Sequence, residues 1–149
     1  MWNEFVGIRS EGVRHVVEQG AVRKFAEAIG DRNPLYLDEA AGRKSRHGRR
    51  IAPPTFPISL DYGSVPGFAL PESGLIHGEQ IFEYERPLYV GEEILCYGML
   101  KEVYEKKARA GSMTFLIIER AGEGADGERI FTTTSSAIIT EAVQKEIEG

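Results

Sequence analysis

The sequence predicts an α+β protein, and three observations predict it. A clear helical period lies early, over residues 21–29, where Val22, Phe25, Ala26 and Ile29 fall at i, i+3, i+4 and i+7. From His77 onward the chain changes to alternating or β-branched runs separated by glycine-containing segments. Helices first and consecutive strands afterwards is the order of an antiparallel sheet with helices against one face. The 149 residues suffice for one core and not for two, so a single domain over residues 1–149 is expected.

Residues 13–18 fit either a short strand or the lead into the first helix. The helix over 21–29 stops at Gly30, which suits the left-handed residue that ends a helix. Asn33-Pro34 keeps it from resuming, because proline pushes the residue before it toward extended backbone. Residues 39–44 make one or two further helical turns. Residues 51–60, IAPPTFPISL, read as a buried helix that starts on prolines, since the first turn tolerates a missing N–H. The Pro- and Gly-rich residues 62–74 read as a loop.

In the second half, Gln80, Phe82 and Tyr84 alternate with Glu79, Glu83 and Glu85, and Pro87 ends that strand. Residues 93–104 and 112–120 are the next two strands, the latter closed by a loop over 121–127. Residues 128–140, rich in Thr and Ile, are the fourth. The polar tail 141–149 is expected to be frayed or weakly helical.

Composition removes several functions. A net charge of −5 argues against a nucleic-acid binder, which needs a basic face. His15, His47 and His77 are isolated and lack paired metal-ligand spacing, and no Walker or dinucleotide glycine motif occurs, so no metal or cofactor is expected. Cys96 is the one cysteine, which excludes an internal disulfide and suits a reducing cytoplasm; its apolar surroundings mark it as a buried small hydrophobe. The first residues lack the basic start and apolar core of a signal peptide, and no run approaches the roughly 18 apolar residues of a membrane span.

The run Gly30-Asp31-Arg32-Asn33-Pro34-Leu35-Tyr36-Leu37-Asp38 holds an aspartate one residue past a rigid helix end. Asp, Asn and Pro are also ordinary turn formers, so by composition alone a helix cap and turn would explain it. The run resembles the signature G-D-x-N-P-L-H-x-D of the MaoC-like hydratases and dehydratases, with one departure: Tyr36 stands where that family has histidine. A second stretch, His77-Gly78-Glu79-Gln80 through Phe82-x-Tyr84-x-Arg86-Pro87-Leu88 and Val90-Gly91-Glu92, is similar to the strand entry of the N-terminal MaoC-type dehydratase domain. The likeness spans roughly residues 13–140.

The resemblance implies a hot-dog fold, an antiparallel sheet wrapped around a long buried helix. It implies reversible addition of water across a trans-2-enoyl thioester to give the (R)-3-hydroxyacyl thioester. The family's aspartate and histidine activate one water, and an N–H at the start of the buried helix takes up the enolate charge. Carried onto this chain, the catalytic positions are Asp31, Tyr36 and the bracing Asn33, and substrate contacts fall at Pro34, Pro54, Thr55 and Phe56. A phenol with a pKa of about 10 donates at neutral pH and cannot replace imidazole as a base. Pro54, at the family's N–H donor position, has no N–H, although Thr55 would supply one if the register slides by a residue.

Both departures resemble the non-catalytic subunit of two-component (R)-hydroxyacyl dehydratases, which holds the acyl tail while a partner carries the Asp/His pair. The partners so implied are an acyl-CoA or acyl carrier protein thioester and a second hot-dog chain, as homodimer or heterodimer. The basic residues 43–50 are then either a solvated helix end or a docking rim for the carrier's phosphates. Two alternatives stand beside this expectation. One is a self-sufficient homodimeric hydratase using Asp31 with Tyr36, His47 or His77. The other is a thioester-binding module without catalysis.

Overall fold

The computed structural model describes residues 1–109 and 111–149. Five strands, β1 (Val13–Val16), β2 (Leu75–Tyr84), β3 (Glu93–Ala108), β4 (Gly111–Gly124) and β5 (Arg129–Thr140), form one sheet in the order β1-β3-β4-β5-β2. Every pairing is antiparallel. Four helices accompany it: α1 (Gln19–Ala28), α2 (Pro34–Leu37), α3 (Glu39–Lys44) and α4 (Glu141–Glu148). The open alternative at residues 13–18 resolves to a strand, β1, paired with the start of β3. This is the α+β hot-dog fold.

The long buried helix expected over 51–60 is not formed. Its place is taken by a single 3₁₀ turn, Phe56–Ser59. Pro53, Pro54 and Pro57 remove three N–H groups within five residues, so no α-helical ladder can propagate. The remaining bonds are short-range, Phe56 N–H to Pro53 O (2.9 Å) and Ile58 N–H to Thr55 O (3.1 Å). Two tyrosines from elsewhere then claim carbonyls of the segment. Tyr84 donates to Pro54 O and Tyr62 to Pro57 O, both at 2.6 Å. The segment is only partly buried: Phe56 is 2% exposed and Pro53 and Pro57 are among the fully buried residues, whereas Ile58 is 60% exposed.

The interior of the sheet is therefore filled by pieces. One cluster joins Val22 and Ala26 of α1 with Tyr36, Phe56, Leu88 and Phe131. A second joins Trp2, Leu100, Leu116 and Ile139, with Val143 and Ile147 of α4 packed against it. The tail is accordingly a capped and anchored helix rather than a frayed one. Thr140 Oγ1 accepts from Val143 N–H (3.4 Å), and Trp2 Nε1 donates to Gln144 (3.0 Å). β4 also runs into the expected closing loop as far as Gly124, because residues 121–123 pair with β3 on one side and β5 on the other and Gly124 pairs with Ile94 of β3. Only the turn from Gly124 to Glu128 remains of that loop. Among the described residues no helix is long and apolar enough to cross a membrane.

Candidate functional site

The site is built by the end of α1. Gly30 has φ +71°, a conformation open to glycine, and closes the helix with two bonds. Gly30 N–H donates to Glu27 O (3.1 Å) and Asp31 N–H reaches back to Ala26 O (2.9 Å). Asp31 is thus fixed by its own backbone while its side chain stays exposed. Asn33 caps α2, its Oδ1 accepting from Leu35 N–H (3.0 Å), and Pro34 occupies the first helical position, where its missing N–H costs nothing. Asp38 caps α3 in the same way through Ala40 N–H (2.9 Å). Each polar residue of the run, save Arg32, therefore has a structural task.

This winding brings Tyr36 back over Asp31. The ring is 7% exposed within the first core cluster, and its hydroxyl lies 3.5 Å from Asp31 Oδ2. Burial and the adjacent Asp31 carboxylate raise the phenol's pKa above its ordinary value. At neutral pH Tyr36 is a proton donor aimed at Asp31, and the pair contains no second acceptor of a proton.

The other expected contacts are distributed. Phe56 shares the core cluster with Tyr36 and meets Phe25 edge-on at 5.6 Å. Thr55 is exposed, and Pro34 is exposed on the loop. Pro54 lines a cavity of about 340 Å³ with Arg46, His47, Ile51 and Tyr84, so part of the basic run borders a hollow. Arg86 also borders it but is engaged, forming paired bonds to Glu92 (2.9 and 2.8 Å) and one to Glu128 (3.0 Å). His77 lies exposed on β2, and His15 is bonded to Asp61 O (2.7 Å). Among the described residues the one side-chain hydrogen bond of Asp31 is with Tyr36; neither His47 nor His77 reaches it. No group of three or more His, Cys, Asp or Glu side chains could hold a metal among those residues. Cys96 is fully buried, and burial pushes its thiol up to about 12, which leaves it unreactive at neutral pH.

Sequence reading missed an inward-facing cation, Arg120. A cavity of about 360 Å³ lies on the concave face of the sheet, lined by Pro57, Tyr62, Leu75, Ile118, Arg120 and Ser135 among others. The signal was available as parity. Leu116, Ile118 and Arg120 share one face of β4, so a strand whose leucine points inward also points an arginine inward.

A five-stranded antiparallel sheet with the Gly30–Asp38 loop at the end of its first helix is the hot-dog class of domain. Residues 4–133 match the FAS1-like dehydratase domain region, and the chain belongs to that family. A UPF0336 protein of Thermobifida fusca is 35% identical over 124 residues, covering 79% of each chain. Among solved structures, the C-terminally truncated HadBC (3R-hydroxyacyl-ACP dehydratase) complex of Mycobacterium tuberculosis superposes with a TM-score of 0.76 at 20% identity. It covers 93% of this chain and 99% of that one. A MaoC-like dehydratase from Rhodospirillum rubrum gives 0.70 at 23%, covering 91% and 92%.

Proposed function

We propose that this chain is the acyl-holding subunit of a two-chain (R)-3-hydroxyacyl-thioester dehydratase, with its own catalytic set impaired. The observation that carries the reading is the Asp31–Tyr36 pair. The loop keeps each cap and backbone bond that positions the aspartate, yet the residue facing it is a buried phenol whose raised pKa makes it a donor. Water addition to an enoyl thioester needs a group that accepts a proton near neutral pH, and an exposed carboxylate alone is a weak one. Pro54 and Pro53 also remove the N–H groups that would stabilise enolate charge at the start of a buried helix.

Two further features support the reading. β2 is a ten-residue edge strand with Ile76 and Ile81 exposed at 46% and 40%, a surface suited to pairing with a second sheet. The hollow beside Pro54 carries Arg46 and His47 on its border, which suits the phosphates of coenzyme A or of an acyl carrier's phosphopantetheine.

The test is crotonyl-CoA hydration by the purified chain beside Asp31→Ala, then again with an Asp/His-bearing hot-dog chain added. Activity only in the mixture supports the subunit reading. Turnover by the chain alone, lost in Asp31→Ala, replaces it with a self-sufficient hydratase. Saturable acyl-CoA binding without turnover in any mixture leaves a binding module.

A further inference from the structure

Arg120 is a cation placed where the fold has no counter-charge for it. It stands on the concave face of β4, between Thr133 of β5 and Gly98 of β3 in register. Its stem fits because Gly98 has no side chain; a Cβ there would lie 3.1 Å from Arg120 Cγ. Among the described residues Arg120 forms no ion pair within 4.0 Å. Its one hydrogen bond is a long one, Nη1 to Ser135 Oγ at 3.3 Å, and its guanidinium carbon lies 5.7 Å from the Tyr62 ring centroid. The side chain borders both the 360 Å³ cavity and a neighbouring one of about 210 Å³, which share Tyr62, Leu70, Ile118 and Arg120.

The remaining walls are mostly apolar, so an occupant must be largely hydrocarbon. A guanidinium offers five N–H donors in a planar fork, and the protein occupies one of them. A hydroxyl or ketone on the occupant would accept a hydrogen bond and leave the charge unbalanced. A carboxylate fills the fork with two parallel bonds and neutralises it, and Ser135 and Thr133 supply hydroxyls beside it. No side-chain polar atom among the described residues is both sealed from solvent and unpartnered, so the N–H groups of Arg120 that the protein leaves free are open to an occupant of the cavities the side chain lines.

We propose that Arg120 recognises a carboxylate at the far end of the acyl chain, so that the cavity selects ω-carboxyacyl thioesters over plain ones. The selectivity rests on the acyl-thioester reading above, whereas the carboxylate site itself does not.

The test is calorimetric binding of hexanoyl-CoA, adipoyl-CoA and free hexanoate to the wild-type chain, Arg120→Met and Arg120→Lys. Adipoyl-CoA is expected to bind roughly tenfold tighter than hexanoyl-CoA, the worth of one charge-assisted contact. Arg120→Met abolishes the preference and Arg120→Lys keeps part of it. Arg120→Met also raises the melting temperature of the free chain, because it removes an unpaired cation, so a folding failure is detected separately. Equal binding of the two esters overturns the proposal and leaves the thioester reading standing. Hexanoate binding that requires Arg120, with neither ester bound, upholds the carboxylate site and sinks the thioester reading. No binding of any probe overturns the carboxylate site.

Discussion

Replacing Tyr36 with histidine tests directly whether the phenol is what silences the Asp31 loop. The imidazole tip lies about 2 Å nearer the backbone than a phenol oxygen, so the 3.5 Å gap to Asp31 widens to about 5.5 Å. Two hydrogen bonds of about 2.8 Å at a tetrahedral angle span about 4.6 Å, so a turn of the exposed Asp31 side chain by about 1 Å lets one water bridge the pair, the arrangement general-base hydration needs. Supplying a base of pKa about 6.5 is worth roughly 10²–10⁴ in rate. The absent N–H at Pro54 withholds roughly 10²–10³ of that chemistry, so Tyr36→His alone remains well short of a complete enzyme. The expected outcome is a rise of about 10²-fold over wild type in crotonyl-CoA hydration, followed as loss of enoyl-thioester absorbance. Adding Pro54→Gly should raise it further, and adding Asp31→Ala should abolish it. The ring sits in the core cluster at 7% exposure, so the substitution costs about 1–2 kcal/mol, and a melting curve must accompany the rates. A folded Tyr36→His chain with no gain would refute the claim that the missing base limits this site.

The same contacts set three other outcomes. Tyr62→Phe leaves the buried Pro57 O without its 2.6 Å donor and is expected to lower stability by about 1–2 kcal/mol in urea unfolding, whereas Tyr84→Phe, at the exposed Pro54 O, should cost only about 0.5 kcal/mol because water replaces the donor. Glu92→Gln removes the charge behind the paired bonds to Arg86 and leaves that guanidinium, only a quarter exposed, with Glu128 as its remaining counter-charge, which is expected to cost about 1–2 kcal/mol in the same assay. Cys96 should resist iodoacetamide at pH 8 in the folded chain and react fully in guanidinium. Because its folded pKa is raised from 9.0 to about 12, the stability it contributes is complete below pH 9 and is lost as pH rises toward 12. Alkaline unfolding curves of wild type and Cys96→Ala would diverge in that window.

Much of this fold was legible because a strand has a period of two. Gln80, Phe82 and Tyr84 point inward as their alternation with glutamates implies, and the apolar runs 93–104 and 128–140 are the strands they read as. The Asp31 loop was legible residue by residue, because Gly30, Asn33 and Pro34 each admit few conformations. Local chemistry misled where tertiary partners decide. Residues 121–123 look like a loop, yet with strands on both sides their backbone groups are satisfied in the sheet. Residues 51–60 bury Ala52, Pro53, Phe56 and Pro57 but leave Ile58 exposed, and three prolines deny them a ladder. Their carbonyls are satisfied instead by Tyr62 and Tyr84, of which Tyr84 lies thirty residues from Pro54 in the chain. The inward position of Arg120 was written in the parity of β4 and obscured by the habit of ending a strand at a charge.

The same prolines bear on both halves of the proposed role. A long helix inside the sheet would carry N–H donors at its start and would fill the concave face along its length. Pro53, Pro54 and Pro57 forbid that helix, which removes the donors, and shorten it to one 3₁₀ turn. Beyond the turn the chain is irregular over residues 61–74, and the 360 Å³ cavity opens between Pro57, Leu60, Tyr62 and Leu70 on one side and the strands on the other. Space for an acyl chain and the loss of oxyanion donors are therefore two effects of one local change in backbone. A chain without a base at position 36 has, on the subunit reading, no use for the helix, and without the helix its sheet has room to hold a tail. On the subunit reading, restoring catalysis with a glycine-started helix would close the cavity. Gain of turnover and loss of acyl binding should then move together across any series of substitutions at these three prolines.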